Sequence, residues 1–161
     1  MAVGQVSSKN IDNWQLISTF TVSSSANNQV IATGISGYKT LLLATNGWTN
    51  SASAILGIYF NGDITSGNYG SSVWGGGTGG GSDSYIRLSY YGAENPGPGY
   101  VRIENASNTT IPKTTSSVGS ERWGTVANGF WNNTAAITSI TAYVTSGTIT
   151  AGTFKLYGLA E

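Results

Sequence analysis

The 161-residue chain contains no cysteine and no histidine. Without cysteine there is no disulfide framework, no thiolate metal site and no sulfur nucleophile. Without histidine the commonest general base and metal ligand is missing, and no serine here can join a Ser-His-Asp triad. Charge is scarce as well. Only 9% of residues are Asp, Glu, Lys or Arg, against about 25% in an ordinary soluble domain. Seven Lys+Arg balance seven Asp+Glu, and Lys9, Lys39, Arg87, Arg102, Lys113, Arg122 and Lys155 are scattered singly. Nucleic acid needs a clustered positive field, so it is excluded as a partner. No apolar run approaches the ~20 residues of a membrane helix. The start, Met1-Ala2-Val3-Gly4-Gln5-Val6, lacks the basic and apolar regions of a signal peptide, so a soluble product with no visible export signal is expected.

What is present is strand-forming. Apolar residues make up 39% of the chain, enough for the core of one domain. Residues 1–12 are polar and unpatterned and read as an N-terminal arm. From Trp14 onward, β-branched and aromatic residues are broken at short intervals by Gly, Asn and Ser. Leu16, Ser18, Phe20 and Val22 share one parity. Leu41-Leu42-Leu43 suits a strand buried on both faces. Ser53 to Phe60 closes on Asn61-Gly62, a strong turn signal. The Gly- and Ser-rich stretch 61–82 reads as loop. So does 105–121, held in place by Ile111 and Val118. Further strands are expected over 84–91, 100–104, 125–131, 136–145 and 153–159. No segment sustains a 3.6-residue apolar period, so no long helix is expected. The fold class is all-β: an antiparallel β-sandwich of jelly-roll type, about eight to nine strands, in a single domain over 13–161.

Candidate chemistry is sparse. The run Gly75-Gly76-Gly77-Thr78-Gly79-Gly80-Gly81 offers backbone but no side chains. It lacks the Lys and following helix of a phosphate loop. A mobile loop is favoured over backbone packed at a symmetry axis. Asp63 with Asn61 could offer oxygens to calcium, but Asn-Gly-Asp is ordinary turn chemistry, and the turn is favoured. Asp83, Glu94, Glu104 and Glu121 are the mid-chain acids. A glycosidase needs two carboxyls at a set separation, whereas scattered acids more often sit in ion pairs, here with Arg102 or Arg122. The sequons at Asn105, Asn108 and Asn132 reflect Asn and Thr abundance. The aromatic residues Trp48, Tyr69, Trp74, Tyr91, Trp123 and Trp131 are the candidate interface or ligand-stacking positions. Packing in the core or at a subunit joint competes with that role and is favoured. Trp14 reads as core. No catalytic residue, metal ligand or cofactor site is assigned.

The order of local signals carries a resemblance. It runs from Trp14-Gln15-Leu16-Ile17-Ser18-Thr19 through Ile35-Ser36-Gly37-Tyr38-Lys39-Thr40-Leu41 and Ile58-Tyr59-Phe60-Asn61-Gly62-Asp63, with Asn68-Tyr69 soon after. It ends with Ile137-Thr138-Ser139-Ile140 and Gly152-Thr153-Phe154-Lys155-Leu156-Tyr157-Gly158. This resembles the jelly-roll modules of tailed-bacteriophage virion proteins, over residues 14 to 158. The resemblance implies a non-enzymatic homotrimer serving as a capsid decoration or cement protein, a head fibre, or a tail receptor-binding tip. The segment 67–121 departs most from the pattern.

A short arm before a compact module suits a protein that clips onto a shell. The expected role is therefore capsid decoration, with the major capsid protein as partner and the virion as location. An uncharged surface has little self-repulsion and tolerates packing against its own copies. The alternative is a receptor-binding module for host surface carbohydrate, with Tyr69, Trp74, Tyr91 and Trp123 as stacking faces.

Overall fold

A computed structural model describes residues 13–74, 83–88, 99–119 and 125–160. The arm, 1–12, and the glycine run, 75–81, lie outside the described residues. Eleven strands form the described fold: β1 (Trp14–Thr21), β2 (Asn28–Thr33), β3 (Tyr38–Asn50), β4 (Leu56–Phe60), β5 (Tyr69–Trp74), β6 (Ile86–Arg87), β7 (Gly99–Glu104), β8 (Lys113–Gly119), β9 (Thr125–Trp131), β10 (Ser139–Val144) and β11 (Ile149–Ala160). They make a seven-stranded sheet, β1-β11-β3-β7-β8-β9-β5, and a four-stranded sheet, β2-β10-β4-β6. Every pairing is antiparallel. The chain is an all-β sandwich, as its sequence predicts.

Eight strands carry the jelly-roll wiring. The set β1-β11-β3-β7 faces β2-β10-β4-β6, and the chain crosses between the two sets at every step along these eight strands except from β4 to β6. The remaining three, β5, β8 and β9, widen the larger sheet beyond β7. Of these, β5 and β8 fall where Gly, Ser and Thr content reads as loop. The inward positions of β8 are Lys113, Thr115 and Ser117, all buried, so the strand has no apolar alternation to reveal it. Nor do Ile111 and Val118 anchor that segment, because both are exposed.

The core lies between the sheets. Leu41, Leu43, Val101, Ile103, Phe154 and Leu156 come from the larger sheet, and Leu56, Ile58, Phe60, Ile140, Ala142 and Val144 from the smaller. Alternate residues of each strand face inward, which is how a period-two pattern buries one side of a sheet. At Leu41-Leu42-Leu43 the outer two are fully buried and Leu42 is half-buried. In β1 the predicted parity fails at one point. Leu16 pairs with Tyr157 but Ser18 pairs with Leu156, so Ile17 is an extra residue in a bulge. Ile17 and Phe20 pack against the core while Leu16 is left exposed. A single inserted residue reverses which side chains face inward, and alternation alone does not report it.

Gly152 marks a close approach between β11 and β3. Its φ is +130°, and a Cβ there would stand 2.7 Å from Trp48 Cα. Only glycine fits that backbone and that gap.

Candidate functional site

Three of the sequence motifs, 58–63, Asn68-Tyr69 and 137–140, meet in space. After β4 the chain turns at Asn61 (φ 53°) and Gly62 (φ 71°), both left-handed, and the Asp63 amide closes the turn on Phe60 O at 2.8 Å. Two successive left-handed residues are the mark of a type I′ turn. The chain then leaves for β5 in the other sheet instead of completing a hairpin. The turn serves to aim two side chains. Asn61 Nδ2 donates to Ala136 O at 2.8 Å, and its Oδ1 accepts from the amides of Thr138 (2.7 Å) and Ser139 (3.1 Å). Asn61 thus clamps the entry to β10.

Asp63 faces the other way. Its Oδ2 accepts from Trp131 Nε1 at 2.8 Å and Asn68 Nδ2 at 2.8 Å, and its Oδ1 accepts from the Thr65 amide at 3.0 Å. Burial pushes the Asp63 carboxyl upward, but the bonds from Trp131, Thr65 and Asn68 outweigh it and hold the group at about 2. The Tyr69 hydroxyl donates to Asp63 O at 3.0 Å and accepts from the Phe60 amide at 3.0 Å. Burial drives its ionisation well above the ordinary phenol range. The Tyr69 and Trp131 rings stack at 6.1 Å, and Phe60 meets Trp131 at 5.4 Å. Beneath them Lys113 is fully buried, its Nζ donating to Asn108 O, Ile111 O and Thr134 O and lying 6.0 Å from the Trp131 ring. Burial lowers its pKa. These groups are engaged with the protein itself, and the Asp63–Trp131 bond with the Phe60, Tyr69 and Trp131 rings ties the two sheets together.

At three of the candidate positions the favoured packing reading fits and the ligand-stacking alternative is corrected. Trp48, Tyr69 and Trp131 are 3%, 1% and 0% exposed and offer no face to a ligand or a partner. Trp131 sits on the inward parity of β9, and its one polar atom is spent on Asp63, which is how a tryptophan is buried without cost. Trp74 ends β5, and its side chain lies outside the described residues, as do Tyr91 and Trp123. The oxygens of Asp63 and Asn61 are committed to protein donors, which supports the turn reading over a cation site. Glu104 pairs with Arg102, and Asp83 takes a two-point contact from Arg87, with Nε to Oδ2 and Nη2 to Oδ1 both 3.0 Å. Glu94, Glu121 and Arg122 lie outside the described residues.

Two outward surfaces, not visible in the sequence, remain. On the open face of the larger sheet, Tyr100 pairs with Val118, and Val118 with Val126. These three are 49%, 40% and 46% exposed. The next rung is Arg102-Ser116-Asn128, and the one beyond it ends in exposed Phe130. On the open face of the smaller sheet, Tyr59 of β4 and Tyr143 of β10 stand side by side, ring centroids 6.5 Å apart, with Tyr85 5.2 Å from Tyr143. With Asn28, Ile64 and Ser84 they line a cleft of about 220 Å³. Tyr85 can lie there because residue 57, on the neighbouring strand, is glycine: a Cβ would meet its ring. Tyr59 and Tyr143 escape sequence reading because each is a lone tyrosine within an apolar strand, and Tyr85 because it precedes the two-residue strand β6.

No family model and no curated protein sequence matches the chain. Among solved structures, the exo-inulinase of Aspergillus awamori is similar with a TM-score of 0.41 and 13% identity over 92% of this chain, which spans 29% of that enzyme. A marine PL-14 alginate lyase from Aplysia kurodai is similar with a TM-score of 0.30 and 9% identity, covering 89% of this chain and 90% of the lyase.

Proposed function

We propose that this protein is a structural adhesive of a phage virion: a homotrimeric capsid decoration (cement) protein that docks on the major capsid protein and stabilises the head shell. One observation carries the reading, the exposed apolar row Tyr100-Val118-Val126 on the open face of the larger sheet. Set at a three-fold axis, an apolar row of this kind can meet the neighbouring subunits without burying a charge. Its neighbours add one ion pair, Arg102–Glu104, with no net charge. A second copy of the chain is the occupant that fits, because a surface with so few charges repels its own kind weakly. A stable contact needs roughly 1,000 Å² or more, and repetition on a symmetric shell adds avidity to modest individual contacts. The jelly-roll wiring and the motif series also favour this reading. The rival receptor-binding role cannot draw on Tyr69, which is a core residue.

The test has two parts. Sedimentation at micromolar concentration is expected to give three times the 16.7 kDa of one chain. Purified protein added to undecorated heads is expected to bind saturably and raise their resistance to internal pressure. A monomer that neither binds heads nor strengthens them overturns the reading.

A further inference from the structure

We infer that the tyrosine-lined cleft on the open face of the four-stranded sheet is a binding site for a neutral pyranose ring, the terminal sugar of a glycan. The cleft is independent of the assembly reading, since it lies on the opposite sheet from the apolar row.

The chemistry of the lining selects the ligand class. Tyr59, Tyr143 and Tyr85 form a continuous aromatic chain, with adjacent rings tilted by 57° and 54°. Tilted rings make a concave floor, where stacked rings would make a flat wall. The weakly polar C–H face of a pyranose packs on such a floor, as apolar ligand faces do on aromatic side chains. The rim is polar and uncommitted. Asn28 accepts from the Tyr59 hydroxyl through Oδ1 at 3.4 Å, and its Nδ2 makes no hydrogen bond among the described residues. The same holds for the hydroxyls of Ser84, Tyr85 and Tyr143. Four groups that can each donate, placed around ring faces, match the alternating hydroxyls of a sugar.

The cleft also states what it refuses. None of its six lining residues is charged. The nearest guanidinium, Arg87, is engaged by Asp83 at two points. A uronic acid or a phosphosugar would bring a charge with no partner, at the cost of its desolvation. The volume, about 220 Å³, lies below the ~300–1,000 Å³ of sites for drug-sized ligands and suits one ring. Ile64 stands on the rim at 66% exposure. An isoleucine held so far into solvent gains apolar cover when a ring enters.

Saturation-transfer NMR on the full chain tests this with the methyl glycosides of glucose, galactose, mannose and N-acetylglucosamine. At least one is expected to bind saturably in the millimolar range, as a single ring in a shallow site does. Tyr143→Ala is expected to weaken it about tenfold or more, the scale of removing an aromatic anchor, while Tyr143→Phe keeps most of the affinity. Ile64→Arg guards against a folding artefact, because an exposed side chain can be changed without loss of fold. It is expected to weaken binding at an unchanged melting temperature. Methyl glucuronide is expected to bind more weakly than methyl glucoside. No binding of any of the four neutral glycosides overturns the inference. So does binding that survives both Tyr143→Ala and Ile64→Arg, or a uronic acid that binds as tightly as the neutral sugar. A trimer that coats heads and binds no sugar sinks this inference alone. A monomeric sugar binder sinks only the assembly reading.

Discussion

Asp63→Asn removes one charge and changes almost no volume, yet it should unsettle the join between the sheets. The carboxylate accepts three hydrogen bonds, from Trp131 Nε1, Asn68 Nδ2 and the Thr65 amide. An asparagine cannot satisfy all three. With its oxygen toward Thr65, its own NH₂ faces two other donors. With its oxygen toward Trp131, the Thr65 amide faces a donor. A lowering from 3.8 to about 2 corresponds to at most about 2.5 kcal/mol of stability. The group is partly exposed, so solvent screening reduces that to about 1–2 kcal/mol. The bond from the indole N–H of fully buried Trp131 is the largest part of that figure. A loss of about 1–2 kcal/mol at pH 7 follows, or about 2–8 °C in melting temperature for a domain of this size. The acid limb gives an independent reading. Folding lowers this pKa, so the unfolded chain takes up the proton first as the pH drops below about 4. The stabilisation is complete above the unfolded value and drains away as the pH falls through about 2. Thermal unfolding followed by tryptophan fluorescence at pH 7, 4, 3 and 2 should show the gap between wild type and variant narrowing at the acid end. A variant within about 0.5 kcal/mol of wild type at pH 7, the range of ordinary surface changes, refutes the reasoning. So does a gap that is the same at pH 7 and pH 2.

Three further changes probe other parts of the fold. Gly152→Ala sets a Cβ against the Trp48 backbone at a φ of +130° and should cost about 2–4 kcal/mol in urea denaturation. Lys113→Met leaves the carbonyls of Asn108, Ile111 and Thr134 without their ammonium donor. It should lower stability by about 1–3 kcal/mol, less than a bare buried charge would cost because the new side chain is apolar. Val118→Lys places a charge in the centre of the apolar row. It should convert the proposed trimer to monomer in sedimentation while near- and far-ultraviolet circular dichroism stay those of the folded chain.

The fold class was legible because inward positions of β3, β7 and β11 are Leu, Val, Ile and Phe at strict alternation. Where alternation is carried by small polar residues, as in β8, the strand was hidden. Its inward Thr115 and Ser117 pair with Gly129 and Ala127, on the same face where Trp131 and Tyr69 supply the bulk. The bulge at Ile17 was hidden for a different reason. An inserted residue changes the pairing and leaves the local composition untouched. Whether Trp48, Tyr69 and Trp131 pack or stack was hidden for a third. Burial of a tryptophan depends on whether a distant acceptor reaches its N–H, and Asp63 is 68 positions away from Trp131.

That last separation explains why the recognisable motifs say so little about ligand or partner. Asn61, Asp63, Asn68, Tyr69, Thr138 and Ser139 are the residues that make the chain look familiar. Every one of them is engaged in holding β4, β5, β9 and β10 in register. A side chain that must satisfy two or three internal partners cannot also be adapted to a new ligand, because each change leaves a buried polar group unpaired. Adaptable positions must be those with no internal obligation. Tyr85, Tyr143, Ser84 and Ile64 on one face, and Tyr100, Val118 and Val126 on the other, meet that condition. The physics of the join therefore separates the two kinds of residue: the motif side chains fix the sandwich, and the unobligated ones on its two open faces are those that the proposed assembly and sugar contacts draw on.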